Sequence, residues 1–334
     1  MTAREASSAL DTATAESMVR TVHPEAVVTE VHRITGGQVN EVYEIRCAPP
    51  VPPVVAKRYS AQTQWKAAKE DYVLGLLAAA GIGPLPRVLH RGPDFLLQSR
   101  VEGTMLSDLL PELEPAQIRD TYRELGRLLA SIHRIPQPSF GYLMTRVVSP
   151  HDSNRSLMRQ MTERVLASFA ANGGDPALHA ALERVLTGDQ TVLYDNCTAP
   201  VLCHNDFHDG NVMVVRTATG LRMTGLLDFE NALAADPLLD LAKTDLYSRI
   251  DDPELLAALL DGYGPLPPDG AERLALYKLY HAMELWSWLA GAGVTEPLPQ
   301  ISQLLSELLS AFQPRPAPAP GSFSGSGSGS RSHV

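Results

Sequence analysis

Three short β-rich runs open the chain. Val27 to Thr35 and Val39 to Arg46 are joined by Gly36-Gly37-Gln38, a hairpin signal with glycines at the turn, and a Pro-rich loop then leads to Val54-Val55-Ala56-Lys57. Gln62 to Ala80 has helical composition, and Trp65, Ala68, Tyr72 and Leu76 recur at spacings of three and four, which predicts one packed face. Gly81 and Gly83 end it. Val88-Leu89-His90 and Phe95 to Val101 read as two further strands.

From Leu106 onward the pattern changes to long amphipathic helices: Pro115 to His133, Asn154 to Ala170, Pro176 to Leu186, Ala271 to Leu289 and Pro299 to Ala311. One non-helical island, Val201 to Asp228, interrupts them with short strands at Asn211 to Val215 and Arg222 to Leu227. The class predicted is α+β, with an antiparallel sheet and one main helix ahead of a larger, mainly helical half. The tail from Pro314 is Pro/Ala-rich and ends in Gly-Ser repeats, a composition that cannot bury a core, so 314–334 is expected to be disordered.

Composition narrows the function classes. With 334 residues, 44% of them hydrophobic, a large core is feasible, and a net charge of -10 disfavours a nucleic-acid binder that relies on a broad basic surface. Three cysteines without CxxC spacing suggest neither a disulfide framework nor a zinc ribbon, so a reducing cytoplasm is the expected location. No stretch reads as a secretory signal or a membrane span, because Val73 to Leu85, the richest apolar segment, is broken by Gly75, Gly81, Gly83 and Pro84.

The island carries His204-Asn205-Asp206-Phe207-His208-Asp209-Gly210-Asn211, then Leu226-Leu227-Asp228-Phe229-Glu230 after a strand pair. Asp206 and Asn211 share a loop, and Asp228 ends a strand that can pair back beside them, so three oxygen-bearing side chains can converge. Phosphoryl transfer needs a positioned nucleophile, Mg²⁺ on the phosphate oxygens and charge neutralisation. Asn211 and Asp228 suit the metal, and Asp206 can orient an acceptor hydroxyl. A rival reading takes His204, Asp206 and His208 as transition-metal ligands of a hydrolase. In the first half, Gly36 and Gly37 allow backbone N–H groups to approach phosphates. Lys57 stands in an otherwise apolar strand and needs an acidic partner, either Glu70 or Asp71 on the following helix.

His204-x-Asp206-x-His208-x-x-Asn211 and Leu227-Asp228-Phe229-Glu230, followed by Asp236-Pro237-x-x-Asp240-Leu241-Ala242, resemble the aminoglycoside phosphotransferase family, a branch of the protein-kinase-like fold that includes choline, homoserine and fructosamine-type kinases. The resemblance runs from about Val27 to about Leu309. It implies a bilobal molecule with a nucleotide-binding lobe over 1–101 and a catalytic, substrate-binding lobe over 102–313. It implies Asp206 as the catalytic aspartate, Asn211 and Asp228 as magnesium ligands, and Lys57 with Glu70 as the phosphate-anchoring pair. Gln98, Ser99 and Val101 resemble the hinge whose backbone meets the purine. Asp240 is expected to brace the catalytic loop, and His133 resembles a structural histidine of the family.

Glu230 stands where protein kinases have glycine, and only eight positions separate Asp228 from Asp236, which leaves no room for a long phosphorylated loop. The function implied is transfer of the terminal phosphoryl group of ATP, or GTP, to a hydroxyl of a small molecule such as an aminoglycoside-like antibiotic. The other readings are a kinase of an amino alcohol, sugar or homoserine, and an inactive nucleotide-binding scaffold. No protein, nucleic-acid or membrane partner is implied. Asp245, Asp251, Asp252, Glu284, Trp286 and Trp288 are candidates to line the acceptor cleft.

Overall fold

A computed structural model of the chain describes residues 9–34, 41–218, 220–248 and 254–312. The glycine pair Gly36-Gly37, the acidic pair Asp251-Asp252 and the segment 314–334 lie outside the described residues.

The first half is a five-stranded antiparallel sheet in the order β1-β2-β3-β5-β4, formed by β1 (Val28–Ile34), β2 (Glu41–Cys47), β3 (Val54–Arg58), β4 (Val88–Arg91) and β5 (Phe95–Ser99). Side chains alternate across a strand, and here each face finds its own helix. Val54, Ala56 and Leu97 face one way, packing with Tyr43 and Ile45 against Ala15, Met18 and Val19 of helix α1 (Thr12–Arg20). Asp11 caps α1 by accepting the Thr14 N–H at 2.8 Å. Leu96 and Tyr59 pack on the opposite side with Ala67 of helix α2 (Trp65–Ala79).

The buried face of α2 is not the predicted one. Trp65 is 42% exposed, while Ala67, Lys69, Glu70, Val73, Leu74 and Leu77 are buried. The helix is rotated so that a carboxylate turns inward toward Lys57, and that polar demand overrides the apolar spacing read from Trp65, Ala68, Tyr72 and Leu76. Helix α1 is absent from the sequence reading, because its Ala- and Thr-rich segment carries only a short apolar stripe.

The chain leaves the sheet through Gly103, whose φ of 119° and close approach to β10 (Val212–Thr217) both require the missing side chain, since a Cβ there would lie 2.3 Å from the Val214 carbonyl oxygen. Beyond it come β6 (Thr104–Met105), α3 (Leu106–Leu109), α4 (Pro115–Ile132), β7 (Phe140–Leu143), β8 (Val147–His151), α5 (Asn154–Ala171) and α6 (Pro176–Leu186). A Pro at the first turn and a reciprocal Glu114–Gln117 capping box start α4. The island supplies β9 (Val201–Cys203), β10, β11 (Gly220–Leu226) and β12 (Leu233–Ala235), and α7 (Pro237–Tyr247), α8 (Leu255–Tyr263), α9 (Gly270–Gly291) and α10 (Leu298–Ser310) complete the described chain.

Two small sheets, β11-β10-β6 and β8-β7-β12-β9, carry the loops of interest on top of the helical core. That core is continuous with α2 through Val73, Leu74 and Leu77, so the two halves share apolar packing. The helices anticipated at 115, 154, 176, 271 and 299 are present to within a residue or two, whereas α7 and α8 were not anticipated. No helix among the described residues is long and apolar enough to cross a membrane.

Candidate active site

Lys57 lies on the α2 side of β3, next to the inward-facing carboxylate of Glu70. Its Nζ donates to both Glu70 oxygens, at 2.8 and 2.9 Å, and to Asp228 Oδ1 at 3.1 Å. Tyr59 and Gln98 also donate to Glu70, at 3.0 and 3.2 Å, so this carboxylate is fully occupied. Burial acts to lower the Lys57 pKa, but Asp228 and Glu70 outweigh it and keep the ammonium charged. Asp71 is not the partner, because it pairs with Arg91 at 3.1 Å. A second pair crosses between the halves: Lys66 of α2 meets Glu230 at 2.8 Å. Burial, then the charge of Asp228, raises the Glu230 pKa.

The loop from His204 to Asn211 is held from below. Asp240 accepts the N–H groups of His204 and Asn205, both at 2.6 Å, and is itself braced by His133 Nε2 at 3.1 Å. Burial would raise the Asp240 pKa, yet His133, followed by His204 and the Asn205 amide, brings it below its ordinary value. His133 Nδ1 meets the Tyr263 hydroxyl at 2.9 Å, so both ring nitrogens are committed. The ring of His204 is fully buried against Phe229, and burial lowers its pKa, which leaves a neutral imidazole bonded through Nε2 to Leu227 O at 3.0 Å.

Asp206 and Asn211 meet in the loop: Asn211 Nδ2 donates to Asp206 O at 2.8 Å and lies 3.4 Å from Asp206 Oδ2. The amide nitrogen thus faces the loop, and Asn211 Oδ1 is its remaining side-chain acceptor. Pairing of Val212 with Leu226, and a 2.8 Å bond from Leu227 N to Asn211 O, set Asp228 beside Asn211. Asp228 sits at φ 68°, a left-handed conformation that is uncommon for a residue with a side chain and turns its carboxylate toward Lys57.

Candidate metal ligands divide clearly. Oxygens of Glu70, Asp228 and Glu230 lie within 4.8 Å of one another, but Glu70 is taken by Lys57, Tyr59 and Gln98 and Glu230 by Lys66, which leaves Asp228 as the hard-oxygen donor of the three that suits Mg²⁺. His133, Cys203 and Asp240 also cluster, but the nitrogens of His133 are engaged as above. Among the described residues His204, Asp206 and His208 do not form a ligand cluster: His204 is bonded to Leu227, and the His208 ring stacks on Tyr247 at 5.7 Å. The hydrolase reading finds no support in this geometry.

Of the hinge candidates, Gln98 is buried and turned toward Glu70, the Ser99 N–H donates to Arg87 O at 2.8 Å, and Val101 packs over Gly225. Of the acceptor-cleft candidates, Trp286 is core, 4.3 Å from Phe169, and Trp288 is exposed. Asp245 pairs with Lys278 at 2.6 Å, and Glu284 lies 3.7 Å from Lys243 Nζ. Sequence reasoning missed Tyr59, Lys66 and Lys243. A lysine three positions after Asp240, amid leucines, is the one signal that could have exposed Lys243.

A small sheet that lends a buried, carboxylate-bound lysine to a loop of acids and amides on a helical base defines the class, a kinase-like phosphotransferase. The chain belongs to the phosphotransferase enzyme family, abbreviated APH, whose family model matches residues 30–277. Among solved structures it is similar to a thermostable mutant of aminoglycoside phosphotransferase APH(4)-Ia in ternary complex with AMP-PNP and hygromycin B, at 16% identity and TM-score 0.69, covering 89% of this chain and 98% of that one. A putative fructosamine-3-kinase from Haemophilus somnus 129PT matches at 15% identity and TM-score 0.64, covering 89% and 96%. At these identities the likeness speaks for the fold. In sequence, an N-acetylmuramate/N-acetylglucosamine kinase of Caulobacter vibrioides is 37% identical over 87 residues, a match that spans 25% of this chain and 23% of that protein.

Proposed function

We propose that the protein transfers the terminal phosphoryl group of ATP or GTP, with Mg²⁺, to a hydroxyl of a small molecule. The carrying observation is the Lys57 ammonium held between Glu70 and Asp228 across the cleft, at 2.8 and 3.1 Å. In this reading Lys57, fixed by Glu70, receives the α- and β-phosphates, and the backbone near Gln98, Ser99 and Val101 holds the purine. Asn211 and Asp228 would hold Mg²⁺, which supplies charge neutralisation on the phosphate oxygens. Asp206 accepts a hydrogen bond from the acceptor hydroxyl and orients it. The acceptor oxygen bonds to the γ-phosphorus, and the bridging P–O bond breaks with its electron pair leaving on the nucleoside diphosphate. The hydroxyl proton passes to Asp206.

The acceptor class includes aminoglycoside-like antibiotics, hygromycin B being bound in one structural relative. The 87-residue likeness to an amino-sugar kinase favours a second acceptor, a free sugar hydroxyl. The test is a thermal-shift titration with Mg-ATP and Mg-GTP, then nucleoside diphosphate release across a panel of hydroxylated amines and sugars. Asp206→Ala is expected to cut turnover by about 10² to 10⁴ while nucleotide binding persists, and EDTA is expected to abolish turnover. Turnover that survives Asp206→Ala, or nucleotide affinity lost in step with it, would contradict the assignment.

A further inference from the structure

Helix α7 meets the catalytic loop with side chains spaced three and four apart, which places Asp240, Lys243 and Thr244 on one face. Asp240 takes the backbone N–H groups of His204 and Asn205, and the Thr244 hydroxyl donates to Phe207 O at 2.7 Å. Both grip backbone. Lys243 differs, because its Nζ donates to Asn205 O at 2.9 Å and also lies 3.3 Å from the Asp206 carboxylate oxygen Oδ1. Asn205 has a left-handed φ of 58°, so Asp240 and Lys243 hold the amide and the carbonyl of a strained residue immediately before Asp206.

The ammonium has no freedom to swing toward solvent. Its side chain is 8% exposed, the Tyr247 ring lies 5.3 Å away, and Glu284 of α9 stands 3.7 Å off on the far side. Glu284 is fixed in turn by the Tyr280 hydroxyl at 3.0 Å and His281 Nδ1 at 3.1 Å. The start of α7 is anchored separately, where Asp236 accepts from Arg273 at 2.5 Å and from the Tyr277 hydroxyl at 2.8 Å. Lys243 is therefore not needed to dock the helix. Leu238, Leu239, Leu241 and Ala242 around it are buried, and an apolar side chain at 243 would avoid the desolvation of a charge. A cation kept in such a place calls for a purpose beyond packing.

We propose that Lys243 is a positioning residue for phosphoryl transfer: its ammonium ties Asp206 Oδ1 to the Asn205 carbonyl and so aims the carboxylate at the acceptor hydroxyl. Among the described residues Asp206 Oδ2 meets the amides of Asn211 and Asn231, both at 3.4 Å, while Oδ1 faces Lys243 at 3.3 Å and His208 Nε2 at 3.8 Å, so the lysine is the nearest cation to the carboxylate. Burial acts to raise the Asp206 pKa, and the charge of Lys243 leads the attractions that lower it instead. The inference rests on the phosphotransferase reading and adds a residue to it.

The test uses the full chain with Mg-ATP or Mg-GTP, reading nucleoside diphosphate release with each panel acceptor and with water. Lys243→Met is expected to lower kcat about a hundredfold while KM for nucleotide stays within about twofold, and Lys243→Arg is expected to recover most of the loss. If Lys243→Met melts below the assay temperature, Lys243→Gln takes its place, since it keeps a donor for Asn205 O but no charge. A Lys243→Met or Lys243→Gln enzyme within about threefold of wild type, beside an inactive Asp206→Ala, would overturn the role of Lys243 and leave the phosphotransferase reading standing. Wild-type turnover no faster than that of Asp206→Ala would overturn both.

Discussion

Glu284 illustrates how a single carboxylate can be made unusually acidic. Burial pushes its pKa up, but Lys243 and His281, together with the Tyr280 hydroxyl, bring it down to about 2 from 4.5. A group depressed in the folded state contributes its stability above the unfolded pKa and loses it as pH falls toward the folded one. The window here is pH 4.5 down to about 2. The shift corresponds to roughly 3 kcal/mol at neutral pH. Glu284→Gln is expected to flatten that acid limb in urea midpoints measured against pH, and an unaltered limb would remove this account. At the residue scale, legibility in the sequence followed local signature. Asp206, Asn211 and Asp228 stand in recognisable runs, and Lys57 betrays itself as a charge in an apolar strand. Tyr59 and Lys66 have no such setting and Lys243 has only the leucines around it, and the two lysines acquire meaning from residues distant in the chain: Lys66 from Glu230, and Lys243 from Asp206 and Glu284.

Among the elements, the contact of α4 with α8 is built at backbone distance. A Cβ at Gly262 would fall 1.9 Å from the Arg123 carbonyl oxygen, and one at Gly126 would fall 2.0 Å from that of Leu259. The next residue after Gly262 is Tyr263, whose hydroxyl orients His133, which orients Asp240 under the loop from His204 to Asn211. Forcing the helices apart therefore reaches the site through three side chains. Gly262→Ala is expected to destabilise the fold by about 3 kcal/mol and to lower kcat among the molecules that remain folded, checked by urea denaturation and by steady-state kinetics. The long helices were legible because their apolar stripes run for several turns. Helices α7 and α8 were not, although Asp236-Pro237 is an N-cap and first-turn pair, with Asp236 accepting the Leu238 N–H at 2.9 Å. Those residues read first as part of a motif, and α8 is a short apolar segment whose period cannot distinguish helix from strand.

At the scale of the whole molecule, two ion pairs, Lys57–Asp228 and Lys66–Glu230, join the sheet half to the helical half. Both lysines belong to the layer that also carries Glu70, so the pairs hold α2 against the segment after Asp228. Lys66→Met would leave Glu230 buried beside Asp228 without this cation. Backbone hydrogen exchange in Trp65–Ala79 is expected to speed up by about tenfold, corresponding to roughly 1 to 2 kcal/mol of lost local stability. Unchanged exchange there would show that apolar packing through Val73, Leu74 and Leu77 secures the helix alone.

The stretch between Asp228 and α7 is occupied almost at once by β12, which pairs with β7 on one side and β9 on the other. Such a tether has no slack. A backbone shift large enough to carry the aspartate away from Lys57 would pull on both ladders within a few residues, which works against a resting form with this side chain swung outward.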